Sequence, residues 1–182
     1  KNVFTHEDDI LDYEVLPLAI SRGCRFKCKF CTYPLLGRKP SEDYIRSEES
    51  IYGELMHNYE NFSTTSYMFT DDTFNETTDK VYRVLSAVKI TGVDMNFWAY
   101  IRIELLHKYP EQIKLLSQLG LRSCFFGLES LYDPSAKSIG KGLGRDKVLE
   151  TLRTQPNLRT KASRGDTCHT RRRRLGACRR GR

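Results

Sequence analysis

No apolar run in these 182 residues approaches the roughly 18–20 that a membrane-spanning helix needs. The N-terminal stretch KNVFTHEDDILDYEV has no basic segment followed by an apolar one, so no secretory signal is legible. Residue 1 is Lys, and the expectation is a chain that begins inside a longer protein. The four histidines, His6, His57, His107 and His169, are scattered and suggest no histidine-centred catalysis. Nor are the six cysteines spread through the chain as a disulfide framework would spread them. Cys24, Cys28 and Cys31 sit within eight residues, Cys124 stands alone in an apolar run, and Cys168 and Cys178 lie near the C-terminus. A tight cluster without a signal peptide reads as metal binding in a reducing cytoplasm, with no membrane partner. Gly140-x-Gly142-x-Gly144 follows a helical stretch rather than a strand and has the wrong spacing for a dinucleotide fingerprint.

The chain has the length of one domain by the rough prior of about 100–200 residues each. Hydrophobic residues make up 39% and aromatics 11%, which suits a globular chain and excludes wholesale disorder. The net charge of +7 is unevenly placed. Residues 159–182 hold ten Lys or Arg and one acid, Asp166, for a local charge of +9. Residues 1–158 therefore carry −2, which is no nucleic-acid footprint. From the apolar set the tail has only Ala162, Cys168, Leu175, Ala177 and Cys178. It is expected to be disordered. The alternative, a basic RNA- or DNA-binding arm, is less favoured because no aromatic is interleaved among the arginines.

Between these ends the pattern alternates. Residues 15–21 form a short apolar run, placed at a sheet start or edge by Pro17, and the cysteine loop follows. Residues 47–61 predict a helix, with Ser47 as cap and Ile51, Leu55 and Tyr59 on one face. Residues 66–70 predict a strand ending at Asp71-Asp72. Several caps at 75–78 then open a helix with Val81, Val84, Leu85 and Val88 on one face, closed by Gly92. Residues 94–102 predict a third strand, ending at Arg102. A helix follows from Pro110 to Gly120, and a fourth strand covers 122–128, ending at Glu129. Asp133-Pro134 opens a short helix (cap, then first turn), and 147–153 carries a last helical face. This β-α repetition calls for parallel strands, either an open sheet or part of a (β/α) barrel. A full barrel needs about 250 residues. The divisions expected are a lead-in over 1–14, a core over 15–158 and the tail over 159–182.

Cys24-x3-Cys28-x2-Cys31 carries the strongest chemical signal. Three thiolates on one loop can hold three corners of a cubane iron–sulfur cluster, leaving one iron open to a ligand. The competing reading is a zinc site in a nucleic-acid-binding module, which wants four protein ligands. The later candidates, His57 and Cys124, are not in a ligand pair. Ligands of parallel α/β folds bind at the carboxyl ends of the strands. Each predicted strand here ends in polar groups: the cysteine loop, Asp71-Asp72, Arg102 and Glu129. The alternatives are a helix cap for Asp71 or Asp72, a surface pair between Arg102 and Glu104, and a pair between Glu129 and Lys137 or Lys141. Cys124 is expected in the core.

Cys24-Arg-Phe-Lys-Cys28-Lys-Phe30-Cys31 resembles the CxxxCxΦC motif of the radical S-adenosylmethionine (SAM) enzymes, Phe30 being the aromatic Φ. The resemblance covers about residues 15–153. Within the family, Gly127-Leu-Glu-Ser130 followed by Ile139-Gly-Lys-Gly142 is similar to the branch of methylthiotransferases and cobalamin-linked enzymes. The resemblance implies a partial (β/α) barrel of the radical SAM type, of which about four units are present. It implies a [4Fe–4S] cluster on Cys24, Cys28 and Cys31, its free iron chelating SAM. Reduction of that cluster would cleave SAM to a 5′-deoxyadenosyl radical, which abstracts hydrogen from an unknown substrate. Phe30 would contact the adenine, Asp71 or Asp72 the SAM ammonium, Arg102 the SAM carboxylate, and Glu129 the ribose or ammonium. Thr70-Asp-Asp departs from the family's frequent Gly-Gly-Glu. A flavodoxin or ferredoxin would serve as electron donor. The family's later barrel units are not legible, so an inactive fragment is a further alternative.

Overall fold

The computed structural model describes residues 4–8, 10–11, 13–32, 44–154 and 159–160. A 3-10 turn at His6–Asp8 leads into strand β1, Leu16–Leu18. Helix α1 spans Glu48–Phe62, β2 Ser66–Phe69, α2 Thr78–Thr91 and β3 Asn96–Ile101. Two helices follow, α3 over Ile103–Lys108 and α4 over Glu111–Leu119, then β4 over Leu121–Phe126. Helices α5, Asp133–Ser138, and α6, Arg145–Arg153, precede a two-residue strand β5, Arg159–Thr160.

All strand pairs are parallel, and their spatial order is their chain order, β1-β2-β3-β4-β5. That is the winding of a (β/α) barrel, since a doubly wound sheet reverses its order part-way. The protein is therefore an α/β fold with the first part of a barrel, as the radical SAM resemblance implies. β1 lies at the sheet edge, where Pro17 is tolerated.

Local chemistry explains the boundaries. Ser47 caps α1, its hydroxyl accepting from Ser50 N at 3.3 Å, and Thr77 caps α2 by accepting from Lys80 N at 3.1 Å. Gly92 and Gly120 end α2 and α4 in the left-handed region, at φ 67° and 89°. A side chain at Gly120 would also collide with the Met95 carbonyl oxygen. The short helix α5 starts one residue earlier than expected, with Tyr132 as cap and Asp133 inside the first turn. Helix α3 is not legible in the sequence, because six residues are too few to display a 3.6-residue period. β5 is a second departure. Arg159 and Thr160, assigned to the tail by composition, pair with Ser123 and Cys124 of β4. Backbone pairing needs no apolar pattern, so periodicity is blind to it. The rest of the basic tail, 161–182, lies outside the described residues, as do Cys168 and Cys178.

The core lies between one face of the sheet and the helices. Tyr67, Phe69, Phe97, Ala99 and Cys124 of the strands meet Ile51, Leu55, Val81, Val84, Leu85 and Leu116, all buried. Phe69 stacks on Phe74 at 4.0 Å between ring centroids and on Phe97 at 4.9 Å. β3 alternates strictly, so Phe97, Ala99 and Ile101 are buried while Tyr100 points to the other face and is 48% exposed. No helix among the described residues is long and apolar enough to cross a membrane.

Beneath the strand ends, Lys80 of α2 is wholly buried. Its ammonium pairs with Asp71 Oδ1 at 2.6 Å and Glu76 Oε1 at 3.3 Å, and donates to Ser21 Oγ at 2.7 Å. Asp71 also accepts from Ile20 N, Ser21 N and Ser21 Oγ at 2.9, 2.8 and 2.7 Å. Removing one partner of a buried ion pair leaves an uncompensated charge and costs about 3–5 kcal/mol. Lys80→Met is therefore expected to destabilise the protein by about that amount in urea unfolding, against less than about 0.5 kcal/mol for the exposed Lys89→Met.

Candidate active site

The carboxyl ends of β1 to β4 meet around an open cleft of about 210 Å³. Cys24, Cys28, Phe30 and Cys31, from the loop after β1, form one wall. Asp72 and Thr73, from the loop after β2, form the next. Tyr100 and Arg102 enter from β3 and its end, Phe125, Gly127 and Glu129 from β4 and its end, and Lys141 from the turn after α5. Each of the ends of β1 to β4 contributes, as a site at the top of a barrel requires.

The cysteine loop is held by its neighbours rather than by secondary structure of its own. Lys29 N donates to Ile139 O at 3.0 Å, and Cys31 N to Cys28 O at 3.0 Å. Gly140 adopts φ 85°, and a Cβ there would sit 3.5 Å from both Cys28 Cα and Lys27 O, so the turn after α5 lies directly against the loop. Cys24 Sγ lies 3.5 Å from Thr73 Oγ1. All three thiols are free and half-buried. Three sulfur donors from one short loop, opening on one cleft, fit a cubane held at three corners. Among the described residues no three Cys, His, Asp or Glu side chains converge as a single ion would need. The other zinc candidates are also elsewhere. His57 Nε2 lies 3.1 Å from Phe4 O, and Cys124 is in the core.

The predicted strand-end residues divide. Asp72, Arg102, Glu129 and Phe30 line the cleft, Phe30 being 54% exposed. Glu129 is held at φ 56°, in the left-handed region that non-glycine residues seldom adopt. Asp71 does not reach the cleft. It is 2% exposed, and its carboxylate is engaged by Lys80 and by the Ile20 and Ser21 amides rather than by the N-terminus of α2, which Thr77 caps. Arg102 does pair with Glu104, at 3.3 Å, but with side chains only 11% and 17% exposed, so the pair is not a surface one. Arg102 Nη1 donates to Cys28 Sγ, and Nη2 donates to Gly140 O as well as pairing with Glu104.

Several cleft residues escape sequence reasoning. Tyr100 and Phe125, 5.3 Å apart between ring centroids, carry the exposed phase of strands whose buried phase is Ala99, Ile101 and Cys124. The alternation alone places them on the face away from the helices. Lys141 donates to Gly127 O at 2.8 Å, and Phe26 lies under the Arg102 guanidinium at 4.1 Å. No spacing signals either contact.

The family model of the Radical SAM superfamily matches residues 18–158. The chain belongs to the radical SAM superfamily. An uncharacterized methyltransferase of Pyrococcus horikoshii is 26% identical over 134 residues, 74% of this chain and 28% of that protein. Bacteriochlorophyllide d C-12(1)-methyltransferase of Chlorobaculum tepidum is 27% identical over 141 residues, 76% of this chain and 30% of that protein. The radical SAM core described here thus spans under a third of the curated relatives it matches. Among solved structures, the cobalamin-dependent SAM radical enzyme OxsB superposes with a TM-score of 0.62 at 20% identity, covering 80% of this chain and 23% of that one. The radical SAM methyltransferase TsrM from Kitasatospora setae gives 0.59 at 15% identity, covering 80% and 29%. At these identities the likeness speaks for the fold. Radical SAM proteins use a [4Fe–4S] cluster and SAM.

The three loop cysteines differ from Cys124 in burial. Burial pushes the Cys124 thiol up to about 12, so it stays protonated and shielded well above neutral pH. At pH 8 in the metal-free protein, iodoacetamide is expected to label Cys24, Cys28 and Cys31 and to spare Cys124 until urea unfolds the chain. Peptide mapping by mass spectrometry reads this out.

Proposed function

We propose that this chain is the cofactor-binding core of a radical SAM enzyme, holding a [4Fe–4S] cluster on Cys24, Cys28 and Cys31 and SAM in the adjoining cleft. The observation that carries the reading is that three thiols of one loop open onto a cleft to which every neighbouring strand contributes polar groups. Bound there, a cluster and SAM would supply one-electron reductive chemistry at a carbon–sulfur bond of the sulfonium, with methionine as the leaving group. The protein's own residues orient and shield. The sulfonium substrate's methionine end is a zwitterion, and Asp72, Glu129 and Lys141 offer both signs of charge around the cleft. Phe30, Tyr100 and Phe125 offer ring faces to the adenine and exclude water beside it.

The transformation served by this core is read as methyl transfer, supported by the names of the relatives and fold neighbours. The electron comes from a one-electron donor protein of the flavodoxin or ferredoxin kind. The exposed Arg25, Lys27 and Lys29, alternating with the half-buried cysteines, suit an acidic donor surface.

Anaerobic reconstitution with iron and sulfide tests the reading. The wild-type chain is expected to take up about four irons, and Cys28→Ala to lose them, since two thiolates hold a cubane poorly. Cys124→Ala should keep the full iron content. One tight zinc with no iron would overturn the assignment. A second measurement addresses SAM. Charge-assisted hydrogen bonds contribute roughly 1.5–3 kcal/mol, so Glu129→Gln is expected to weaken SAM about ten- to a hundredfold by calorimetry. Iron content should be unchanged, and the exposed Glu49→Gln should have no effect on either.

A further inference from the structure

Arg102 ends β3 with its backbone clamped. Asn75 Oδ1 accepts from Arg102 N at 2.8 Å, and Asn75 Nδ2 donates to Arg102 O at 3.1 Å. Asn75 is wholly buried and also donates to the buried Gln112 Oε1 at 3.1 Å, so the clamp is itself fixed from α4. From this base the side chain, 11% exposed, reaches over the cysteine loop. Nη1 donates to Cys28 Sγ at 3.3 Å, and Nη2 to Gly140 O at 3.1 Å. Glu104 Oε1 lies 3.3 Å from Nη2, and the guanidinium carbon lies 4.1 Å from the Phe26 ring centroid. The fork that a substrate carboxylate would need is turned to a sulfur, a carbonyl and a carboxylate of the protein itself.

We propose that Arg102 is a positioning residue of the Cys28 corner, donating to the thiolate that holds the cluster and raising the cluster's reduction potential, rather than a partner of the SAM carboxylate. The proposal rests on the reading that Cys24, Cys28 and Cys31 hold a cluster. A donor on a ligand sulfur stabilises negative charge there. The one-electron-reduced cluster carries one negative charge more than the oxidised form, so the hydrogen bond strengthens on reduction and favours it. Lysine is a poor substitute, because one ammonium on a flexible stem cannot span the sulfur, the Gly140 carbonyl and the Phe26 ring at once. The same fork joins the turn after α5 to the loop beside the Lys29 N to Ile139 O bond, so one side chain fixes both the geometry and the charge of that corner.

The test uses the full chain, reconstituted anaerobically, as wild type, Arg102→Met, Arg102→Lys and Arg25→Met. Iron and sulfide content is measured first, and the cluster midpoint is then read by electron paramagnetic resonance during titration with dithionite and redox mediators. Equal iron content is expected in all four. Arg102→Met should have a more negative midpoint than wild type, Arg102→Lys should fall between them, and Arg25→Met, an exposed cation of the same loop, should match wild type. A wild-type midpoint in Arg102→Met, or an equal shift in Arg25→Met, overturns the proposal. Should Arg102→Met lose iron, Arg102→Lys carries the test, and a midpoint at or above wild type overturns it. Failure of the wild-type chain to take up iron instead sinks the reading of the cysteines, and the proposal with it.

Discussion

The ammonium of Lys80 holds the upper part of this fold together. It is buried from α2 against Asp71 and Glu76, and Asp71 in turn receives the amides of Ile20 and Ser21 where the chain leaves β1. A charged group taken out of water is stable only when its partners are geometrically fixed. The end of β2, the start of the cysteine loop and the first turn of α2 are therefore locked as one unit. The position of Cys24, three residues past Ser21 and beside Thr73, follows from that lock.

The next link runs through side-chain amides rather than charge. Asn75 stands in for a strand residue and hydrogen-bonds both backbone groups of Arg102, while Gln112 completes its remaining capacity from α4. Arg102 then spans the cleft wall to Cys28 and Gly140. Among the described residues, the loop that carries the three thiols is tied to its surroundings by Lys29 N to Ile139 O, Arg102 to Cys28 Sγ and Cys24 Sγ to Thr73 Oγ1. This is the arrangement expected where a cofactor-binding loop is displayed on a rigid scaffold. The half-exposed rings of Tyr100 and Phe125 mark the face that the partial barrel turns toward the cleft.

The sequence and the structure agree most closely where a single residue decides the outcome by local chemistry. Ser47, Gly92 and Gly120 mark helix ends because capping and left-handed backbone are properties of the residue and its immediate neighbours. The four main strands and their helices follow from period-2 and period-3.6 burial. The short pieces escape for the same reason: α3 has fewer than two turns, and β5 is recognised only by its pairing with β4. Asp71 and Asp72 illustrate the limit most directly. Adjacent, identical and both at a strand end, they cannot be told apart by type or spacing. Only the buried Lys80, nine residues past Asp71, turns one inward while its neighbour lines the cleft.

The amino-acid sequence by itself determined the family, the cysteine triad, the alternation of strands and helices and the rim on which ligands gather. Each of these is carried by residue identity over a short span. Only the tertiary structure decided which polar residues reach the cleft and what they touch there. Arg102 faces Cys28 across 74 positions of chain, and Asp71 faces Ser21 across 50. Such contacts depend on the packing of several elements together, which no local pattern of residues records.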